Sequence, residues 1–255
     1  MNIIHTLNET LLKQPFNEEE YLPLLLNECQ QMAKQYAKIE NAIAVLSDLR
    51  ANKSYIYYGK VASSLGLPEE SNGTQEIDSI WEDKIFSCIH PDDLLEKHLL
   101  ELQFFQLLKS LPNSKRSDYH VLSKIRMKDK SGKYIIIQHR MFYVYSSFPG
   151  NLWLALCLYN HEYENTELSS YYGMIINSAT GDIIKPDRQK CSTILSDREK
   201  EVLILIEKGR ISKEIAIELS ISINTVNRHR QNILEKLRVK NAIEACKVAK
   251  SMLLF

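Results

Sequence analysis

Four short helical patterns follow one another closely at the end of this 255-residue chain, and they constrain its fold more than any other feature. The first helix is predicted to begin at a capping box formed by Ser196 and Glu199. Ser212 is expected to cap the second helix, and only the short polar turn 220–222 separates that helix from the third. Two short helices joined by such a turn form a helix-turn-helix, which places its second helix in the major groove of DNA.

The third helix, expected from Ser222 to about Leu237, has one apolar face and one polar face. Val226 and Ile233 belong to the apolar face, which docks on the neighbouring helices. The candidates for reading base edges carry amide or guanidinium groups and are Asn227, Arg228 and Gln231. The candidates for neutralising phosphates are basic and include Arg228, Arg230 and Lys236. A small helical bundle with a solvated polar face is the alternative interpretation of this pattern.

Charge is distributed unevenly along the chain. Lys plus Arg and Asp plus Glu each total 32, so the formal net charge is zero. Residues 190–255 nevertheless contain 13 basic and 8 acidic side chains, whereas residues 1–189 contain 19 and 24. This distribution argues against a simple basic nucleic-acid coat and predicts two parts with separate roles.

The amino terminus and the cysteines predict a protein of a reducing compartment, most simply the cytoplasm. The first residues lack the basic and apolar regions of a secretory signal. The longest strongly apolar stretch is 152–159, whereas a membrane-spanning helix needs about twenty residues. The cysteines are scattered without the close spacing of a metal or redox motif, and they are Cys29, Cys88, Cys157, Cys191 and Cys246.

Four segments are predicted along the chain. A helical segment is expected at 1–40, in which a helix over 16–40, capped by Asn17, either begins near Leu22 or kinks at Pro23. The remaining segments are a sheet-containing domain at 41–160, a polar linker at 161–191 and a helical domain at 192–255. A small hairpin at 172–185 lies within the linker, and its domain assignment stays open.

Within the second segment, alternating and β-branched stretches predict strands, which are expected at 42–46, 55–58, 119–127, 134–145 and 152–159. His90 is predicted to open an amphipathic helix that ends before Pro112. The aromatic residues of this segment either line a pocket or fill the core, and they are Tyr55, Tyr57, Tyr58, Phe104, Phe105, Phe142 and Trp153.

The C-terminal segment resembles the LuxR/GerE/FixJ-type DNA-binding domain over about 60 residues. The matching stretches keep their order and spacing and are 195–203, 213–219, 222–226 with His229, and 232–237. The resemblance implies that the third helix lies in the major groove, with Ser222, Asn224 and Thr225 among the DNA-contacting residues. It also implies that the fourth helix forms a dimer interface, for which the candidates are Ile243, Cys246 and Ala249. Many members have Lys at the positions of Asn227 and Gln231, which leaves the recognised base sequence open.

The order of strands and helices over roughly 40–160 resembles a PAS domain. The landmarks are His90–Asp93 before a helix and a hairpin at 128–133 between long strands. The resemblance implies an α+β protein, with a PAS-like antiparallel sheet and helices ahead of an all-α, four-helix helix-turn-helix domain. Domains of this type enclose a small ligand or pair with another subunit. His90 is interpreted as a structural residue, and no metal site is predicted.

Taken together, these resemblances predict a bacterial transcription regulator that binds promoter DNA as a homodimer. RNA polymerase is a further candidate partner, and a membrane is not. An acyl-homoserine-lactone-responsive regulator and a sigma-factor-like subunit of RNA polymerase are the alternatives. The sequence shows no glycine-rich phosphate loop and no nucleophile motif, so we do not expect an enzyme.

Overall fold

A computed structural model describes the chain at 3–16, 22–67, 73–147, 150–162, 173–185, 195–237, 239 and 241–251. The chain divides into two compact units, Glu9–Pro186 and a second composed of Met1–Asn8 with Asp187–Phe255. The predicted cap at Asn17, most of the predicted linker and Cys191 lie outside the described residues. The four predicted segment boundaries stay predictions.

The first unit contains an antiparallel sheet of eight strands. They are β1 (Ile43–Asp48), β2 (Lys53–Tyr58), β3 (Thr74–Ile77), β4 (Tyr119–Lys128), β5 (Tyr134–Ser147), β6 (Asn151–His161), β7 (Met174–Asn177) and β8 (Ile183–Ile184). Their order across the sheet is β3-β2-β1-β6-β5-β4-β7-β8. The helices up to this point of the chain are α1 (Ile3–Leu12), α2 (Pro23–Ile39), α3 (Lys60–Ser64), α4 (Asp83–Phe86), α5 (Pro91–Ser110) and α6 (Asn113–Arg116). The predicted α+β class is therefore confirmed.

Helix α2 packs on one face of this sheet. Ala33 and Ala37 of the helix share a buried cluster with Leu46 of β1, Leu156 of β6 and Trp153. Small residues on the helix allow its backbone to approach the sheet closely. The helix begins at Pro23, where the missing N–H of a proline costs nothing in the first turn. Of the two predicted alternatives, a start near residue 22 is therefore correct.

Helix α5 packs on the opposite face and begins as predicted. The ring Nδ1 of His90 accepts the backbone N–H of Asp92 at 3.3 Å, which caps the helix. The prediction of a simple amphipathic helix is wrong, because all five residues from Lys97 to Glu101 are buried. Polar side chains at Lys97, His98 and Glu101 therefore lie in the interior.

The small hairpin of β7 and β8 belongs to the sheet. Asn177 pairs with Tyr119 of β4, and Ile175 pairs with Val121. The described part of this hairpin is therefore sheet rather than linker. Strand β3 and helix α6 were not predicted, because each is only four residues long and carries no clear periodicity.

Four of the proposed pocket or core aromatics fill the core, since Tyr57, Phe104, Phe105 and Trp153 are buried. None of these four residues lines the cavity described below.

The second unit contains the four predicted C-terminal helices, which are α7 (Asp197–Glu207), α8 (Ser212–Glu218), α9 (Ile223–Leu237) and α10 (Ala242–Ser251). Ser212 does not cap α8 but is its first helical residue. The carboxylate of Glu214 instead accepts the backbone N–H of Ile211 at 3.1 Å. The predicted end of the fourth helix at residue 253 lies outside the described residues. Every helix that the structure describes is too short or too polar to cross a lipid bilayer.

Candidate nucleic-acid interface

The buried carboxylate of Glu199 connects α7 to α9. Its Oε2 accepts the backbone N–H of Ser196 at 2.7 Å and a hydrogen bond from Lys236 Nζ at 2.5 Å. Ser196 Oγ accepts the backbone N–H of Glu199 at 3.3 Å, which completes the predicted capping box. Burial opposes ionisation, but the hydrogen bonds from Lys236 and Ser196 hold the pKa of Glu199 below its ordinary value. Glu199 is therefore a structural anion within the helix-turn-helix.

This ion pair gives Lys236 a role within the domain beside its predicted contact with DNA. The Lys236 side chain is only 18% exposed, and its ammonium group already donates to Glu199. A phosphate would have to compete with a carboxylate that is itself buried. Lys236 therefore stabilises the packing of α9 on α7.

The turn between α8 and α9 is defined by one backbone conformation and two hydrogen bonds. Ser220 adopts a left-handed backbone conformation with φ of +53°. The Arg198 guanidinium group of α7 donates to the carbonyl of Leu219 at 2.5 Å, which satisfies a backbone acceptor at the end of α8. Ser222 Oγ accepts the backbone N–H of Thr225 at 3.0 Å and caps α9, as predicted. The beginning of α9 is therefore held at a defined angle to α8.

Helix α9 presents a polar surface that we call the recognition face, and its residues are Asn224, Asn227, Arg228 and Gln231. All four are exposed. At about 100° per residue they fall within an arc of about 100° on the helix. The buried residues Val226, Ile233 and Leu237 lie on the opposite side. The separation of faces that the sequence predicts is therefore present.

Residues predicted to contact phosphates border the recognition face. Thr225 and Arg230 are half-buried and lie on its two sides. The exposed Ser222 places its hydroxyl 2.8 Å from that of Thr225. His229 lies on the inner side, where its Nδ1 is buried and has no hydrogen-bond partner among the described residues. This position suits packing against the neighbouring helices.

The three predicted dimer contacts on α10 differ in exposure. Ile243 is 72% exposed and Cys246 is half-buried, whereas Ala249 is completely buried. Ala249 therefore packs within its own chain and offers no surface to a second copy. Ile243 and Cys246 remain candidates for the interface.

Residues 193–249 match the family model described as GerE, bacterial regulatory proteins of the luxR family. The matched stretch contains α7, α8 and α9, the recognition face and most of α10. The C-terminal part of this chain is therefore a GerE/LuxR-type helix-turn-helix domain.

Two characterised relatives are similar to this chain over fewer than 60 residues. Over 51 residues the chain is 61% identical to the transcriptional regulatory protein DesR of Bacillus subtilis, which corresponds to 20% of this chain and 26% of DesR. Over 56 residues it is 46% identical to the oxygen regulatory protein NreC of Staphylococcus carnosus, which corresponds to 22% of this chain and 26% of NreC. The chain thus spans about a quarter of the length of these two relatives.

Solved structures of longer extent are similar at low sequence identity. Vibrio cholerae VqmA, described as a dimeric LuxR-type receptor, is 14% identical over 91% of this chain and 88% of its own, with a TM-score of 0.29. Escherichia coli SdiA is 15% identical over 99% and 97%, with a TM-score of 0.24. TM-scores of this size do not establish a shared arrangement of the whole chain.

The first unit contains four buried polar residues that the sequence did not predict and one buried thiol, which together we call the interior polar cluster. They are Glu82, Lys97, Glu101, His139 and Cys157, and all are at most 7% exposed. Four of them, all except His139, line a cavity of about 40 Å³ together with Tyr143 and other residues of the sheet. This volume accommodates a few water molecules or one small ligand group.

Charges in the interior polar cluster are paired or suppressed. Lys97 Nζ donates to Glu101 Oε1 at 2.5 Å. Burial favours the neutral acid at Glu101, but Lys97 and His98 overcome this effect and hold the pKa of Glu101 well below its ordinary value. Burial raises the pKa of Glu82 to about 7, and Lys97 opposes this shift. Lys97 and Glu101 are four residues apart, a spacing equally typical of a solvated helix face, so the sequence alone does not reveal the cluster.

Proposed function

We propose that this chain is a transcription regulator that binds double-stranded DNA as a homodimer. The observation that carries the proposal is the recognition face of α9, which lies within the stretch that matches the luxR family model. A helix whose inner face is buried and whose outer face carries amide and guanidinium groups suits insertion into the major groove.

The residues of the recognition face and those that border it have separate proposed roles. Arg228 carries the fork that suits the acceptors of guanine, and the amides of Asn227 and Gln231 suit adenine. Ser222, Asn224 and Thr225 are proposed to contact phosphates at the beginning of α9, where backbone N–H groups also favour anions, and Arg230 is proposed to contact a phosphate from the middle of the helix. Two copies place two such helices about one DNA turn apart, so the expected site is an inverted repeat.

The N-terminal unit is proposed to be a PAS-like control domain. Support comes from its antiparallel sheet, from α5 on one face and from the small cavity beside Lys97 and Glu101. Occupation of this cavity would control the protein by shifting the population of an arrangement competent for DNA binding. At a promoter, such a regulator would act on RNA polymerase by recruiting it or by excluding it.

The proposal is tested by selecting double-stranded DNA from a random pool with the full-length chain. The selected site is then used in fluorescence anisotropy titrations at several salt concentrations. The double variant Arg228→Ala and Gln231→Ala is expected to lose at least about tenfold in preference over random DNA, since one bidentate base contact contributes about 1–3 kcal/mol of discrimination.

Lys208→Ala is the matched control, because it removes the same charge from an exposed position at the end of α7. It is expected to keep the preference for the selected site. If the double variant and the unaltered chain prefer the selected site over random DNA to the same extent, α9 is not the helix that recognises the bases.

A further inference from the structure

Three side chains of different chemistry converge inside the sheet-containing unit. Glu101 of α5, His139 of β5 and Cys157 of β6 each offer one ligand atom, and these three atoms lie within 4.8 Å of one another. A carboxylate oxygen, an imidazole nitrogen and a thiolate sulfur are the donors that zinc takes in proteins. We propose that this Glu101–His139–Cys157 triad binds a divalent transition-metal ion of the zinc type.

The sheet register brings two of the three ligands to one face. His139 pairs with Tyr159, and Cys157 pairs with Met141, two residues further along β5. Because side chains alternate between the faces of a strand, His139, Met141 and Cys157 lie on the same side. Helix α5 covers this side and contributes Glu101, so the triad is assembled from three separate elements.

His139 carries a buried nitrogen that needs a partner. Its Nδ1 lies 3.1 Å from Ser123 Oγ, in the facing position on β4. Its Nε2 is buried and has no hydrogen-bond partner among the described residues. A buried polar atom without a partner is unfavourable, and coordination of a metal ion would satisfy it. Ser123 then takes the place of the outer partner that commonly orients a ligating histidine.

The contacts of Glu101 suit it to bind a metal ion as a carboxylate anion. One oxygen accepts from Lys97, and the other lies 3.3 Å from His98 Nδ1. A carboxylate has about four lone-pair positions, so it can keep the Lys97 contact while binding a metal. On binding, the S–H bond of Cys157 breaks, its proton leaves to solvent and a sulfur–metal bond forms. The ion and the Lys97 ammonium together carry three positive charges, of which the thiolate and the Glu101 carboxylate balance two, and ionisation of Glu82 on the same cavity would balance the third.

The geometry leaves a fourth position open. Ligand atoms around a tetrahedral zinc ion are about 3.3–3.8 Å apart, for bonds of about 2.0–2.3 Å. Binding would therefore draw the three ligand atoms together by up to about 1–1.5 Å from the 4.8 Å within which they lie. Glu101 and Cys157 also line the cavity of about 40 Å³, which has room for a water molecule or a small anion as the fourth ligand. Three protein ligands with one open position are typical of metal sites that exchange an external ligand.

The test uses the full-length protein after removal of metal, titrated with Co²⁺ as a spectroscopic probe. We expect a thiolate-to-cobalt charge-transfer band that saturates at one ion per chain. Cys157→Ser is expected to abolish the band, and His139→Gln to weaken binding at least tenfold. Cys29→Ser is the matched control, because Cys29 is also buried but belongs to the cluster beneath α2 on the other face. Retention of the band in correctly folded Cys157→Ser would overturn the proposal.

A second measurement does not depend on how the variants fold. X-ray absorption of the unaltered protein loaded with Zn²⁺ is expected to show one sulfur at about 2.3 Å and nitrogen or oxygen neighbours at about 2.0 Å. A shell without sulfur, or with several sulfurs, would exclude the triad. The outcome is distinguishable from the proposed DNA binding, since the triad lies in Glu9–Pro186 and the recognition face does not.

Discussion

Lys236 of α9 donates from Nζ to Oε2 of Glu199 on α7 at 2.5 Å, and the Glu199 side chain is only 3% exposed. Removal of the lysine leaves a nearly buried anion with the Ser196 N–H but without its cation. We therefore expect Lys236→Met to lower the free energy of unfolding of the C-terminal unit by about 2–4 kcal/mol in urea titrations. After correction for the folded fraction, the DNA affinity of Lys236→Met should depend on salt as steeply as that of the unaltered protein.

Arg230→Met provides the comparison for this experiment, since Arg230 is the proposed phosphate contact on the same helix. Loss of one phosphate contact reduces the slope of log affinity against log salt by about one. A similar reduction in Lys236→Met would show that Lys236 contacts DNA and that the ion pair with Glu199 is not its main role.

Asp48 organises the turn that follows β1 and is expected to be important for stability. Its Oδ1 accepts the indole N–H of Trp153 at 2.8 Å and the backbone N–H groups of Arg50 and Ala51 at 2.9 and 3.0 Å. Asp48→Ala should lower the free energy of unfolding by about 2–3 kcal/mol, because a buried indole N–H loses its partner. Asp48→Asn keeps an acceptor and should cost about 1 kcal/mol. Equal losses in the two variants, measured by urea unfolding, would contradict this explanation.

Glu82 is expected to make the first unit less stable as the pH rises. Burial raises its pKa to about 7 from an ordinary 4.5, and the groups acting on it are Lys97, Glu101 and the hydroxyl of Ser54. Between about pH 4.5 and 7, Glu82 is protonated in the folded chain and ionised in the unfolded chain. The stabilising contribution is therefore complete below about pH 4.5 and is lost as the pH rises through about 7.

Glu82→Gln isolates this effect. The unfolding free energy of the unaltered protein minus that of the variant should fall by up to about 3 kcal/mol between pH 4.5 and 7. Burial lowers the pKa of His139 to about 3, and this effect has the opposite sign over part of the range. His139 is present in both proteins, so it cancels in the difference. A difference that does not vary with pH would show that Glu82 ionises normally.

The dimer proposal makes a prediction for α10. Ile243→Asp places a charge at an apolar position that is 72% exposed in one copy. Because the dimer would bury this charge between the two copies, the substitution should raise the dimer dissociation constant at least about tenfold in sedimentation experiments. Ile217→Asp on α8 is the control, because Ile217 is 74% exposed and lies on a different helix. Equal effects of the two substitutions would indicate a general loss of stability rather than loss of an interface.

Features that depend on nearby residues could be predicted from the sequence. The capping box of Ser196 and Glu199 and the cap at Ser222 each involve groups three residues apart. The separation of faces on α9 follows from helix periodicity alone. The matching order of helices and turns allowed the helix-turn-helix to be identified before any contact was known.

Features that depend on distant pairing were not predictable. Lys236 is assigned to phosphate when its charge is considered alone, and its partner is 37 residues away. The interior polar cluster was not predicted because its members also come from distant parts of the chain. Lys97 and Glu101 are buried by parts of the chain that are distant in sequence, among them Phe86 and Cys157. No local pattern in the sequence shows that this charged pair will be buried.

The pairing of β7 with β4 determines how far a fragment of the chain must extend to keep the sheet intact. A fragment that ended near residue 160 would remove the partner of Tyr119–Leu122 and leave their backbone groups without hydrogen bonds along an open strand. Such an edge recruits strands from other molecules, so the fragment would self-associate or aggregate. The smallest self-sufficient form of this sheet therefore extends at least to Ile184.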